Sequence, residues 1–304
     1  MGPDLDEQLR AAAFAYLDTL GAREGNVVSR EQLTAFRYMD QPMPLVERQR
    51  GIRKASGFDA AISILTTYTA RPDQRPYDDG EGPDGYPRYK WRGTDPDTYD
   101  NRALRVVMTE HKPLPWFVGV APGLFHALYP VWLVGEEPDQ HQFVVALDAA
   151  MSEQWEGDPF HPADLAARRR YAQVVVRQRL HQRVFRERVL FAYERQCALC
   201  RLRHPELLDA AHILEDAEGG EPIVPNGIAM CAIHHRAFDS NVLGIRPDHV
   251  IQVRSDVLAE HDGPTLQHAL QGLHNGRITI PSQREARPKP ELLEARFERF
   301  KLAG

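Results

Sequence analysis

Apolar residues recur at helical spacing over residues 5–21, where Leu5, Leu9, Ala12, Ala13, Tyr16, Leu17 and Leu20 share one stripe. "SREQL" at 29–33 reads as a capping box, Ser29 with Gln32, opening a short second helix. From residue 44 the period changes. "FDAAISILTTY" (58–68), "WFVGVA" (116–121), "YPVWLVGEE" (129–137) and "HQFVVALD" (141–148) are strand-like. A loop rich in Pro, Gly, Asp and Tyr fills 71–101, so 44–150 reads as a small, curved β domain with one long loop. "EGDPFHPAD" (156–164) is a linker, and a long helix is expected over roughly 164–194, with Val174, Val175, Leu180, Val184, Val189 and Leu190 available for packing. "IRPDHVIQV" (245–253) suggests a strand pair, and "PKPELLEARFERFKLAG" a terminal helix.

The totals fit this pattern. A chain of 304 residues, 42% hydrophobic and 26% charged, is globular and long enough for two ordinary domains. The expected division is 1–155, a linker and arginine-rich helix over 156–194, and 195–304. No apolar run reaches the ~18 residues of a membrane span. The first twenty residues lack the basic start and cleavage site of a signal peptide, which predicts a cytoplasmic protein.

The three cysteines stand at 197, 200 and 231, an odd number inside one short window, which argues against a disulfide framework. "CALC" and "CAIH" place Cys197 with Cys200 and Cys231 with His234. Two such pairs are a tetrahedral zinc pattern, because each tight turn lets both of its ligands reach one ion. Thiolate and imidazole donors suit zinc and exclude magnesium. Four protein ligands leave no open position, so this zinc is expected to be structural. His235 then points elsewhere. If "CAIHHRAFD" opens a helix, His235 and Asp239 lie at i and i+4 on one face, where nitrogen and carboxylate can hold a second, harder metal.

Net charge is −6, yet its distribution is uneven. Residues 165–204 carry eleven arginines against two glutamates, a local +9 that leaves −15 on the rest. The guanidinium fork suits phosphate, so this stretch is expected to meet a polyanion, with Arg168, Arg169, Arg170 and Arg177 on the DNA backbone.

"LLDAAHI", "VPNG" and "CAIHHRAFD" occur in order around the cysteine frame. Over about 195–245 the chain resembles the HNH nuclease family, the ββα-metal fold, in its restriction-type members with an "AAHI … NG … HH-x-x-FD" pattern. The resemblance implies His212 as the general base that deprotonates water, a task for a neutral imidazole. It implies His235 as a ligand of a catalytic Mg²⁺, with Mn²⁺ or Ni²⁺ as alternatives, and products with a 5′-phosphate and a 3′-hydroxyl. Asp239 is the second ligand candidate. Many members carry a ligand directly before the base, but here that residue is Ala211. Asp209, two residues earlier on the same strand face, is the candidate third ligand. Asn226 is expected to orient the loop.

The first half also carries a resemblance. "YDDG" (77–80), "YKWRGTDPDTYDN" (89–101) and "WFVGVAPGLFHALYPVWLVGE" (116–136) resemble the SRA-like domains of the PUA superfamily that precede HNH modules in bacterial modification-dependent restriction enzymes. Such domains bind a flipped modified base, which implies aromatic sandwiching and hydrogen bonds to the base edge. Tyr89, Trp91, Tyr99 and Trp116 are the stacking candidates. Asp95, Asp100 and Asn101 are the edge readers, and Arg88, Lys90 and Arg92 the phosphate contacts. The expected fold is α+β: N-terminal helices and a small, curved barrel-like domain, a linker helix, and a zinc-stabilised ββα-metal domain. The implied function is a type IV-like restriction endonuclease, a homodimer acting on double-stranded DNA near methylated or hydroxymethylated cytosine. The alternatives are a nuclease or toxin acting on unmodified DNA, and a non-catalytic, zinc-stabilised DNA-binding regulator.

Overall fold

The computed structural model describes residues 5–22, 27–69, 86–147, 149, 182–215, 219–261 and 263–303. The chain divides into two compact units, Met1–Leu180 and His181–Gly304. Among the described residues no helix is long and apolar enough to cross a membrane.

The N-terminal unit runs α1 (Leu5–Thr19), β1 (Val28–Ser29), α2 (Arg30–Thr34), β2 (Arg37–Tyr38), β3 (Gln41–Pro42), β4 (Ile52–Lys54), β5 (Ala61–Thr66), β6 (Arg88–Lys90), α3 (Tyr99–Thr109), β7 (Leu114–Ala121), β8 (Leu124–Glu137) and β9 (Gln142–Ala146). Seven strands form one curled sheet in the order β4-β5-β7-β8-β9-β6, with β1 added to β8. Only β5 and β7 pair in parallel among these. The curl is built on β8, whose first half pairs with β7 and whose second half pairs with β9. Because β8 changes partner along its length, its Phe125 and Ala127 join one core and its Val131 and Leu133 another. Phe117, Phe125, Ile62 and Leu65 face the Leu9/Ala13/Leu17 stripe of α1. Trp116, Val131, Ile64 and Phe143 join Leu104 and Val107 of α3. The buried face of α1 also carries Asp6 and Arg10, whose charges pair at 3.0 Å. Arg10 donates onward to Ala61 O and Pro113 O, and Lys112 Nζ lies 2.8 Å from Asp6. The capping box forms, with Gln32 N–H donating to Ser29 Oγ and Ser29 N–H to Gln32 Oε1.

Two elements fall inside the span expected to be loop. β6 covers Arg88–Lys90, and α3 begins at Tyr99 behind Thr98, whose hydroxyl accepts from Asn101 N–H. Asp100 and Asn101 occupy buried positions of α3 and so break the apolar stripe that marks a helix.

The C-terminal unit contains α4 (182–192), β10 (Leu208–His212), β11 (Gly227–Cys231), α5 (Ala232–Asp239), β12 (Leu243–Ile245), β13 (Ile251–Val253), α6 (Ser255–Ala259), α7 (Pro264–Ala269) and α8 (Pro290–Ala303). β10 and β11 form an antiparallel hairpin with Leu208 opposite Cys231 and His212 opposite Gly227. Phe185, Val189 and Tyr193, at the end of the arginine-rich segment, share one core with Ile228, Met230, Phe238 and Leu293. The described end of that segment is therefore part of this unit and not a bare linker. Arg168, Arg169, Arg170 and Arg177 lie outside the described residues.

Candidate metal centre and active-site cavity

α5 starts at the end of β11, so Cys231 and His234 sit on its first turn. The knuckle bearing Cys197 and Cys200 is held against them by backbone bonds. Ala198 N–H donates to Ala229 O at 2.7 Å, and Thr279 N–H to Ala198 O at 2.8 Å. Arg201 adopts φ 61°, which closes the turn. The donor atoms of Cys197, Cys200, Cys231 and His234 all lie within 4.8 Å of one another. His234 Nε2 is 2.8 Å from Ala269 O, which can only accept, so Nε2 carries the hydrogen. Its Nδ1 lone pair then faces the sulfurs of Cys197 and Cys231 at 3.3 and 3.2 Å. A ligand imidazole fixed through its other nitrogen is the usual support of a zinc site. The four side chains could bind zinc.

The next residue turns away by one helical step and faces a different set. His235 Nδ1 lies 3.4 Å from Asp209 Oδ2, and His235 Nε2 lies 3.4 Å from Asp239 Oδ2. Asp209 comes from β10, so strand and helix meet at this ring. The hydrogen bond with Asp209 raises the His235 pKa, burial opposes that, and the two carboxylate charges add to it. Burial works to raise the Asp209 pKa, but His235, the Ala210 N–H and Arg186 outweigh it and hold the group below the usual aspartate value. These three residues line an open cavity of about 590 Å³ with Arg186, Leu207 and Arg236. Two carboxylates and an imidazole at a half-exposed cavity suit a hard divalent cation. The carboxylates sit at opposite nitrogens of the ring, so one of them must turn for all three to meet a single ion.

Arg186 and Arg236 were not singled out as site residues from the sequence. Arg186 donates to Pro205 O and Leu208 O at 2.7 and 2.8 Å, and its Nε lies 3.7 Å from Asp209. It fixes the entry to β10. Its signal was its place in the arginine run.

His212 stands apart from this cavity. It is three residues beyond Asp209 and therefore on the opposite strand face. Its ring stacks on Phe185 at 4.1 Å and 17°. Opposite it, a Cβ on Gly227 would come within 2.4 Å of Val189 and 2.8 Å of Phe185, so only glycine lets α4 pack this closely. Asn226 is buried and closes the loop after His212. Its Oδ1 accepts from Leu214 N–H, and its Nδ2 donates to Leu214 O and Glu221 O, all at 2.9 Å.

In the N-terminal unit, the aromatic and acidic candidates divide. Trp116 is buried and donates to Thr66 Oγ1 at 2.9 Å. Asn101 is fully buried, with both amide hydrogens donated to Arg92 O and Asp95 O and its oxygen accepting from Arg92 N–H. Asp100 is buried against Arg92 and Arg50. These three candidate base contacts therefore hold the core and the 92–98 loop in place. Arg88 is likewise buried and doubly bonded to Glu137, which corrects its expected contact with phosphate. Asp95 accepts from Asp97 N–H in an exposed turn, and Tyr99 is exposed beneath Lys54. Tyr89 and Trp91 are core residues, 4% and 3% exposed, with the Tyr89 hydroxyl donating to Gly51 O, and they only border a cavity of about 270 Å³. Arg48, Arg50, Lys90 and Arg92 stand at the same cavity. The basic run "ERQRG" was the overlooked signal for Arg48 and Arg50.

Residues 197–246 match the family model described as HNH endonuclease, about one sixth of the chain. No curated protein matches. The solved structures that match include two restriction endonucleases. The first, "Modification dependent TagI restriction endonuclease", is 17% identical over 83% of this chain and 85% of that one, with a TM-score of 0.29. The second, "Structure of the Type IV phosphorothioation-dependent restriction endonuclease ScoMcrA", is 18% identical over 62% of this chain and 54% of that one, with a TM-score of 0.23. Scores of this size do not establish a shared fold. The HNH endonuclease match thus falls on the segment that holds the Cys₃His cluster, Asp209, His235 and Asp239.

Proposed function

We propose that the chain is a metal-dependent DNA endonuclease that cuts near modified bases. The observation that carries the nuclease reading is the Asp209–His235–Asp239 set, open to solvent beside a sulfur-rich cage and inside the HNH match. In this reading Asp209, His235 and Asp239 hold a divalent ion, Mg²⁺ or Mn²⁺. When bound, it stabilises charge on the phosphate and the leaving 3′ oxygen. The Cys197, Cys200, Cys231 and His234 cluster holds a structural Zn²⁺ that fixes α5. His212 takes the proton of the attacking water, and the products carry a 5′-phosphate and a 3′-hydroxyl. This role rests on the HNH match, since the His212 ring stacks on Phe185 on the strand face opposite Asp209. His212→Ala that cuts at the wild-type rate would remove it from the mechanism. Asn226 acts by holding the loop that follows the base.

The modification reading is supported by the basic cavity of the N-terminal unit. Its arginines suit phosphate, and the buried Tyr89 and Trp91 border the cavity. A flipped cytosine derivative is the proposed occupant. Double-strand cutting needs two such active sites, and the proposed assembly is a homodimer. Digestion of matched plasmids, unmodified, 5-methylated or 5-hydroxymethylated at cytosine, with Mg²⁺ or Mn²⁺ tests the reading. Preferential cutting of a modified plasmid is expected. Equal cutting of all three would leave the nuclease and remove the modification dependence.

A further inference from the structure

We propose that Arg296, on α8, is a positioning residue that sets His235 and Asp239 by fixing the C-terminal end of α5. The proposal rests on the metal-dependent reading above.

α5 has eight residues, about two turns, and a helix of that length does not hold itself together in water. Its first turn is tied down by Cys231 and His234 of the sulfur cage. Asp239 is its last residue, where helices fray. Three backbone bonds close that end: Ser240 N–H donates to Arg236 O at 3.0 Å, Asn241 N–H to Phe238 O at 3.1 Å, and Val242 N–H to Ala237 O at 2.9 Å. Asn241 takes φ 53°, the left-handed conformation of this closure.

Arg296 adds a side-chain tie from fifty residues beyond the end of the HNH match at 246. It is only 4% exposed. Its Nη2 donates to Phe238 O and to Asp239 O, and its Nη1 to Asn241 Oδ1 at 2.6 Å. The guanidinium lies 4.6 Å from the Phe238 ring centre. A buried cation is stable only with such partners, and the negative end of a helix supplies them. Every one of these contacts falls within two residues of Asp239. A guanidinium fork can hold Phe238, Asp239 and Asn241 in one plane, which an ammonium group cannot. α8 is seated independently of this fork. Leu293 is fully buried, and Phe300 packs so closely on Gly244 that a Cβ there would meet its ring at 2.5 Å. Replacing the Arg296 head group should therefore loosen the last turn of α5 while leaving α8 and the sulfur cage in place.

The test uses the full chain with zinc bound. Mn²⁺ binding without DNA is followed by electron paramagnetic resonance for wild type, Arg296→Gln and Arg296→Lys. Zinc content and the kcat and KM of DNA cleavage are measured alongside. Arg296→Gln should keep its zinc, bind Mn²⁺ roughly tenfold or more weakly, and lose kcat with little change in KM. Arg296→Lys should recover part of the loss. Arg296→Gln with wild-type Mn²⁺ affinity would overturn the proposal and leave the nuclease reading intact. A wild-type protein that binds no Mn²⁺ beyond its zinc would overturn both. Should Arg296→Gln lose zinc or fail to fold, Asn241→Gly decides instead. Glycine suits the φ of 53° but removes the Nη1 acceptor. Weaker Mn²⁺ binding with zinc retained supports the clamp, and unchanged binding refutes it.

Discussion

His234 and His235 are adjacent in sequence and separated in task by one helical step of about 100°. The first faces three sulfurs, the second two carboxylates. Both groupings of side chains were legible from spacing, because C-x-x-H and H-x-x-x-D each fix a helix face. Asp209 was legible by strand alternation alone, and that same alternation puts His212 on the other face. Single-residue chemistry in the N-terminal unit was much less legible. Sequence gives the type of Asn101 or Trp116 but not whether its polar atoms are already bonded indoors. At the metal set, Asp239→Asn and Asp209→Asn should each weaken Mn²⁺ binding by roughly 10- to 100-fold in titration calorimetry, with zinc content unchanged. Asp6 offers a residue-scale test of stability. Burial works to raise its pKa, but hydrogen bonds and charge from Arg10 and Lys112 more than offset this and lower it from the ordinary 3.8. A lowered carboxylate pKa stabilises the fold above pH 3.8, and that contribution disappears as pH falls through the shifted value. Asp6→Asn should cost about 3–5 kcal/mol near neutral pH, since it removes the counter-charge of the buried Arg10 and of Lys112, and should flatten the acid dependence. All four tryptophans lie at or before residue 155, so their fluorescence in a urea titration reports this unit selectively.

At the scale of elements, the helices with clean apolar stripes or caps, α1, α2 and α8, stand where the pattern puts them. The paired strands after residue 242 also form, though β12 starts two residues before the expected segment. α3 was hidden because Asp100 and Asn101 take buried positions that the pattern reserves for apolar residues. β4 and β6 are three residues each, too short to show alternation. The β10–β11 hairpin depends on a contact no periodicity reveals, the close approach of α4 to Gly227. Gly227→Ala should destabilise the C-terminal unit by about 1–3 kcal/mol through overpacking. It should also lower cleavage by disturbing Phe185 and His212, both measurable by thermal melting and plasmid nicking. Removing zinc with a strong chelator should unfold α5 and abolish cleavage. Added Mg²⁺ alone should not restore it, because an oxygen-preferring ion does not replace thiolate ligation.

On the scale of the whole molecule, the two units have separate cores and separate cavities. One cavity is rimmed by Arg48, Arg50, Lys90 and Arg92, and is the proposed nucleotide reader. The other combines acid and imidazole, as metal-assisted hydrolysis requires. The proposed division of labour predicts that Arg48→Ala with Lys90→Ala, which leaves the Asp100 pairs with Arg50 and Arg92 intact, weakens binding to modified duplex DNA in a filter assay while Mn²⁺ affinity stays at the wild-type value. Only the segment that matches the HNH endonuclease model could be read from the sequence with a specific motif, because metal ligation demands particular residues at particular spacings. A curled sheet can be built from many sequences, so its strands declare their positions more readily than their ligand. The most direct measurement compares plasmid cleavage by wild type and His235→Ala, both with their full zinc content, in Mg²⁺ or Mn²⁺. The wild type should cut and the variant should be inactive although folded and zinc-loaded. A His235→Ala protein that cuts at the wild-type rate would contradict the assignment of this cavity as the active site.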